Sequence, residues 1–155
     1  MRRRKQAVLL VVILAVNLAC IHKASGPVTP WEKVTTENAI LAQAINTVTH
    51  GTIAVQNSGL ITVQQASPIL QFATLAAQDQ KQLTAILAQA PSATNIPAIQ
   101  ALVTQIGQSA TTVVNSGGAG VKNPKSQQTI SADIQAIVTA ANLVLTSYQN
   151  AVGGQ

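Results

Sequence analysis

The 155-residue chain has few of the side chains that usually carry chemistry. It contains one cysteine, two histidines and four acidic residues, and one each of Trp, Phe and Tyr. A single cysteine excludes a disulfide within the chain. The histidines, His22 and His50, and the acids never occur three or four residues apart, the spacing that places two metal ligands on one helix face. We therefore predict no catalytic residue, no metal site and no cofactor.

The ionisable residues beyond the amino terminus have ordinary structural explanations. His50 lies about half a turn from the apolar stripe of its predicted helix, so we expect it to face solvent. Asp79 and Lys81 are flanked by glutamines and are predicted to lie on a solvated face. Asp133 is predicted in the early turns of the last helix, where a carboxylate stabilises the positive end of the helix dipole. The glycine-rich segment 117–120 lacks the spacing of a phosphate loop and is predicted to be a connector.

Cations are concentrated at the amino terminus. The chain has nine Lys and Arg residues, and four of them occupy positions 2–5. The remaining five lysines nearly balance the four acids, so the rest of the chain is close to neutral. A nucleic-acid surface needs clustered cations that displace counterions from phosphates. These lysines are mostly scattered, and no nucleic-acid partner is predicted.

An apolar run follows the cationic residues and occupies positions 7–16. Four cations before such a run are typical of a bacterial export leader. Ten helical residues span about 15 Å, half of the ~30 Å hydrocarbon layer of a bilayer. Extension of the run to residue 21 would give roughly 22 Å, which is still short for a permanent span. We therefore expect the remainder of the chain to function outside the cytoplasm.

Cys20 closes this apolar run and directly follows Ala19. The segment resembles the lipobox of bacterial lipoproteins, in which a cysteine receives a diacylglyceryl group and becomes the new amino terminus. The resemblance is confined to the leader and implies lipidation of Cys20 and attachment to a membrane. Asn17 and Leu18 depart from the aliphatic and small residues of that pattern. An uncleaved anchor and simple secretion after cleavage therefore remain as alternatives.

The chain divides into three predicted parts: a signal peptide or membrane anchor over 1–20, a tether over 21–30 and a helical domain over 31–155. The tether contains one glycine and two prolines and has no periodic apolar pattern. No later segment approaches 18 uninterrupted apolar residues, so we predict no membrane span in the domain. Trp31, beside the tether, could lie at a membrane interface or close the open end of the domain.

Apolar residues in the domain recur at steps of three and four, which indicates helices. The predicted helices cover about 32–57, 63–90 and 96–115, and a fourth begins at 123–124. Short connections between long helices place consecutive helices antiparallel. The predicted fold is all-α, an antiparallel up-down-up-down four-helix bundle.

The predicted core residues of these helices form stripes with spacing typical of coiled-coil packing. In chain order, the stripes are Val34, Leu41, Ile45, Val48 and Val55; Leu70, Ala73, Ala77, Leu83 and Leu87; Ile99, Val103, Ile106, Ala110 and Val113; and Ile130, Ile134, Ile137, Ala141, Val144, Tyr148 and Ala151. In the second helix, Ile69, Phe72, Ala76 and Ile86 are expected to widen the stripe.

Local signals mark several helix ends. Ser58 and Gly59 are predicted to end the first helix, with Leu60 and Ile61 packing back on it. Thr62 followed three residues later by Gln65 predicts a capping box for the second helix. Pro68 leaves two alternatives there: it kinks the helix, or it marks the true start with Ser67 as the cap.

The predicted outer faces carry glutamine in place of the usual charged residues. Low surface charge favours association, so we expect binding to another helical protein or self-association. The sequence favours a non-enzymatic, exported, membrane-tethered helical bundle with a structural or protein-interaction role in a bacterial envelope. One alternative is a phage or prophage lysis accessory or holin-like protein with a single N-terminal anchor. Another is binding of a small apolar ligand in the bundle core.

Overall fold

The computed structural model describes residues 29–116, 121 and 124–154. Four helices account for most of them: α1 (Pro30–Asn57), α2 (Val63–Leu87), α3 (Ile96–Asn115) and α4 (Pro124–Gly153). A 3₁₀ turn over Ala93–Asn95 precedes α3, and none of the described residues forms a strand. The prediction of an all-α chain with four helices is therefore confirmed. The proposed leader, including Cys20, lies outside the described residues.

Capping boxes define where α1 and α2 begin. The Thr29 hydroxyl accepts a hydrogen bond from the Glu32 backbone N–H at 3.2 Å, and the Glu32 carboxylate accepts one from the Thr29 N–H at 2.8 Å. Thr62 and Gln65 make the same reciprocal pair at the start of α2, as predicted. Each pair satisfies backbone donors that a helix leaves unpaired in its first turn.

Gly59 follows the end of α1 and has a φ of 72°, a conformation that glycine adopts without steric conflict with a Cβ. Ile61 is buried as predicted, at 4% exposure, but Leu60 is 55% exposed. The prediction that Leu60 packs back on α1 is therefore wrong. Neighbouring side chains in a non-helical segment point in different directions, and only one of this pair faces the core.

Pro68 lies inside α2, five residues after its first residue. The helix begins at Val63 with Thr62 as its cap, so the alternative in which Ser67 caps the true start is wrong. The complete capping box at Thr62 stabilises the turn that precedes the proline.

The four helices pack in a ring around one core. Helix α1 contacts α2 and α4, and α3 contacts the same two helices; the α1–α4 interface is the most extensive. The largest fully buried side chains come from all four helices: Val34, Leu41, Ile69, Phe72, Leu83, Ile99, Ile106, Ile134, Ile137, Val144 and Tyr148.

The predicted stripes match this core in three of the four helices. Every stripe residue of α3 and α4 is buried, and in α1 only Val55 is half-buried. In α2 the buried face is rotated, because Ile69 and Phe72 are buried while Leu70 and Ala77 are only half-buried. The rotation turns part of the apolar surface of α2 toward solvent.

Among the described residues, α4 is the one helix that is long and apolar enough to cross a membrane by length and composition. No membrane span was predicted in this part of the chain, because polar residues interrupt every apolar run there. Of the residues in the most apolar window of α4, 33% are buried inside the structure. A core helix of a soluble bundle meets the same criterion, so composition alone is weak evidence for insertion.

Candidate functional site

One candidate surface of the described chain lies along the outside of α2, next to the end of α1. A shallow groove there, which we call the α2 face, is lined by Gln56 of α1 and by Val63, Ser67, Leu70, Gln71, Thr74 and Leu75 of α2. Val63 is 64% exposed and Leu75 is 44% exposed, while Leu70 is half-buried at the edge of the core. Two large apolar side chains, Val63 and Leu75, therefore contact water at the two ends of this groove.

The α2 face follows from the arrangement of apolar residues within α2. One set, which includes Ile69 and Phe72, occupies the core. Val63 and Leu75 are exposed instead, and Leu70 is half-buried where it packs against the edge of the core. No Asp, Glu, Lys or Arg occurs between positions 38 and 78, so no formally charged residue interrupts this surface. An uncharged surface with exposed apolar groups favours contact with another protein.

A second groove lies between α3 and α4. Its lining includes Thr104, Gly107, Gln108 and Thr111 of α3, together with Val138 of α4. A Cβ added at Gly107 would meet no atom within 4 Å, so this groove is open at its centre. Both grooves lie on the outside of the helices, and neither supplies the unfilled core cavity that binding of a small apolar ligand in the core would require.

Asp79 is buried on the core side of α2, and the prediction that it lies on a solvated face is wrong. It is 4% exposed, and its Oδ2 atom has no hydrogen-bond partner. Ala76 and Leu83, about one turn before and after it, are also buried. Burial raises the pKa of the Asp79 carboxyl, because removal from water disfavours its charged form.

Asp133 also differs from its prediction. It is the tenth residue of α4, whereas the dipole of a helix acts mainly within the first turn. The side chain is half-buried, and burial raises the pKa of its carboxyl. The prediction that this carboxylate stabilises the start of α4 is therefore wrong.

Tyr148 connects α4 by hydrogen bonds to the loop that precedes α3. Its hydroxyl donates a hydrogen bond to the Ser92 carbonyl oxygen at 3.0 Å and accepts one from the Ser92 N–H at 3.1 Å. The ring of Trp31 meets that of Tyr148 edge-on, with centroids 5.9 Å apart and planes at 63°. Trp31 is half-buried against the core, which fits the second of its two predicted alternatives, closure of one end of the domain.

The other candidate residues that the structure describes do not lie together. His50 is exposed, as predicted. Within the described part of the chain, no group of three or more His, Cys, Asp and Glu side chains could hold a metal ion. Cys20, His22 and the connector over 117–120 lie outside that part. Comparison of the chain with protein-family models, curated proteins and solved structures found no match.

Proposed function

We propose that this chain is a non-enzymatic, exported and membrane-tethered helical bundle with a structural or protein-interaction role in a bacterial envelope. The observation that carries the interaction role is the α2 face, where Val63 and Leu75 are exposed within a long uncharged stretch. Burial of such side chains stabilises a complex, and the absence of charge removes the desolvation penalty that charged groups would add. The partner that fits this face is another helical protein or a second copy of the chain.

We further propose that the four helices run up-down-up-down. Near the start of α1, the Asn38 amide donates to the Thr84 hydroxyl near the end of α2 at 2.9 Å. The Trp31–Tyr148 ring contact joins the start of α1 to the end of α4. The Tyr148 hydroxyl in turn contacts Ser92, just before α3 begins. All three contacts support antiparallel neighbours.

The proposed attachment to the membrane is lipidation of Cys20 after removal of the export leader. We expect the intact mass of the chain extracted from bacterial membranes to equal that of residues 20–155 plus a lipid modification, and the lipid mass to be lost in Cys20→Ser. An unmodified product that lacks the leader would contradict lipidation and indicate secretion. A full-length product that oligomerises in the membrane would instead favour the holin-like alternative.

Introducing charge on the α2 face should abolish association. We expect the leaderless chain, residues 25–155, to elute as a complex larger than one chain at high concentration, and Val63→Glu/Leu75→Glu to elute as a monomer. Two carboxylates placed against an apolar partner would have to be desolvated, which opposes binding. Size-exclusion chromatography with light scattering measures the change directly.

The matched control is Gln100→Glu/Gln105→Glu, which adds the same charge at two exposed positions of α3. We expect it to associate like the unsubstituted chain. A chain that stays monomeric at every concentration would contradict self-association and leave a different helical protein as the partner. If both double variants lost association equally, net charge, and not the α2 face, would control association.

A further inference from the structure

The core of this protein contains one acid whose burial favours its neutral form. Asp79 is 96% buried on α2, and its Oδ2 atom accepts no hydrogen bond. An isolated carboxylate in such a place is strongly disfavoured, and a protonated carboxylic acid is disfavoured far less. The packing of the residues around it therefore depends on whether a proton is bound.

Among the residues that the structure describes, no opposite charge contacts the buried Oδ2 atom of Asp79. Helix α2 packs chiefly against α1 and α3, and α3 contains no ionisable side chain. The nearest cation in sequence, Lys81, is exposed and accompanies Asp79 on α2 itself. The ionisable residues of α1 are Glu32, Lys33, Glu37 and His50, and none of them donates a hydrogen bond to the buried oxygen.

We propose that Asp79 is a pH-sensitive switch for the packing of α2: the helix is held firmly while the carboxyl is protonated and is loosened when the carboxyl ionises. Ionisation introduces a charge beside Ala76 and Leu83, on the face of α2 that is packed in the core. The structure can hydrate this charge by moving α2 away from its neighbours. This inference goes beyond the proposed function and does not depend on it.

The direction of the pH dependence follows from proton linkage. Burial raises the pKa of Asp79 in the folded chain above its ordinary value of 3.8, so the folded chain retains the proton to higher pH than the unfolded chain. The contribution of Asp79 to stability is therefore complete below the ordinary value. It is lost as the pH rises through the raised pKa of the folded state.

The test compares the full-length chain with Asp79→Asn in a non-ionic detergent, by urea unfolding from pH 3 to pH 8 with Trp31 emission as the signal. We expect the ratio of the unfolding constant of the unsubstituted chain to that of Asp79→Asn to be constant at the acidic end. Above the ordinary aspartate range it should rise by up to about tenfold per pH unit, before levelling at the raised pKa. Hydrogen bonds from the Thr29 backbone N–H and hydroxyl lower the pKa of the Glu32 carboxyl, so Glu32 contributes in the opposite direction, while Asp133 contributes in the same direction. Both contributions are present in both chains and cancel in the ratio.

Further measurements keep the result decisive. Asp79→Leu replaces the acid by an apolar side chain and should also remove the pH dependence of unfolding that Asp79 causes. Asp133→Asn leaves Asp79 in place and should retain that pH dependence. In the unsubstituted chain, hydrogen exchange of α2 should accelerate relative to that of α4 as the pH rises. A pH-independent ratio for the Asp79 variants, or equal change in α2 and α4, would overturn the proposal.

Discussion

Tyr148→Ala should lower the free energy of unfolding by about 3–5 kcal/mol, the range for removing a large buried aromatic side chain. Tyr148 has 0% exposure, so its removal leaves a cavity between α4 and the elements around it. It also leaves the Ser92 N–H and carbonyl oxygen without their partner and removes the ring that Trp31 contacts. Urea unfolding followed by circular dichroism measures the loss.

Tyr148→Phe separates the ring from the hydroxyl. The ring contact with Trp31 is retained, and only the two hydrogen bonds to Ser92 are lost. We expect a loss of about 1–3 kcal/mol, the usual penalty for leaving partly buried polar groups unpaired. If Tyr148→Phe were as stable as the unsubstituted chain, the connection to Ser92 would contribute nothing to closing this end of the domain.

Ala141→Leu should destabilise the chain by about 1–3 kcal/mol, because added methylene groups in a packed core force neighbouring side chains and backbones apart. Ala141 has 0% exposure and continues the α4 stripe between Ile137 and Val144. Alanine at this position lets a neighbouring helix approach closely, and leucine has no space to occupy. Urea unfolding with both the midpoint and the slope recorded checks this expectation.

Ala136→Leu is the control for that substitution. Ala136 lies on the same helix but is exposed, and Ala and Leu differ little in helix propensity. We expect a change within about 0.5 kcal/mol, as for most surface substitutions. Similar losses of stability in the two variants would contradict the expectation that the effect comes from the burial of Ala141.

The helices could be predicted from sequence where a single apolar stripe was present. In α4 the steps of four and three define one stripe, and every residue of that stripe from Ile130 to Ala151 is buried. In α2, however, apolar residues occur on two sides, and periodicity gave no means to choose between Leu70 and Ile69. The choice depends on which side fits the neighbouring helices, and that is a property of tertiary packing.

The candidate site was predictable only in its general character. Glutamine-rich faces indicated an uncharged surface, but locating the groove on α2 required the rotation that leaves Val63 and Leu75 exposed. Asp79 was misplaced because neighbouring glutamines suggested solvent. Asp79 lies seven residues after Phe72 and four before Leu83. Residues at these separations lie on the same side of a helix, so this spacing did indicate the buried face.

The largest helix interface joins the first helix to the last. A ribosome delivers α1 long before α4, so a growing chain that ends before Pro124 lacks the main neighbour of its first helix. Closure of that interface brings together segments separated by most of the domain, which carries the entropy penalty of a long loop. The nascent polypeptide consequently cannot close this interface until α4 has been synthesised, and α1 lacks its main neighbour up to that point.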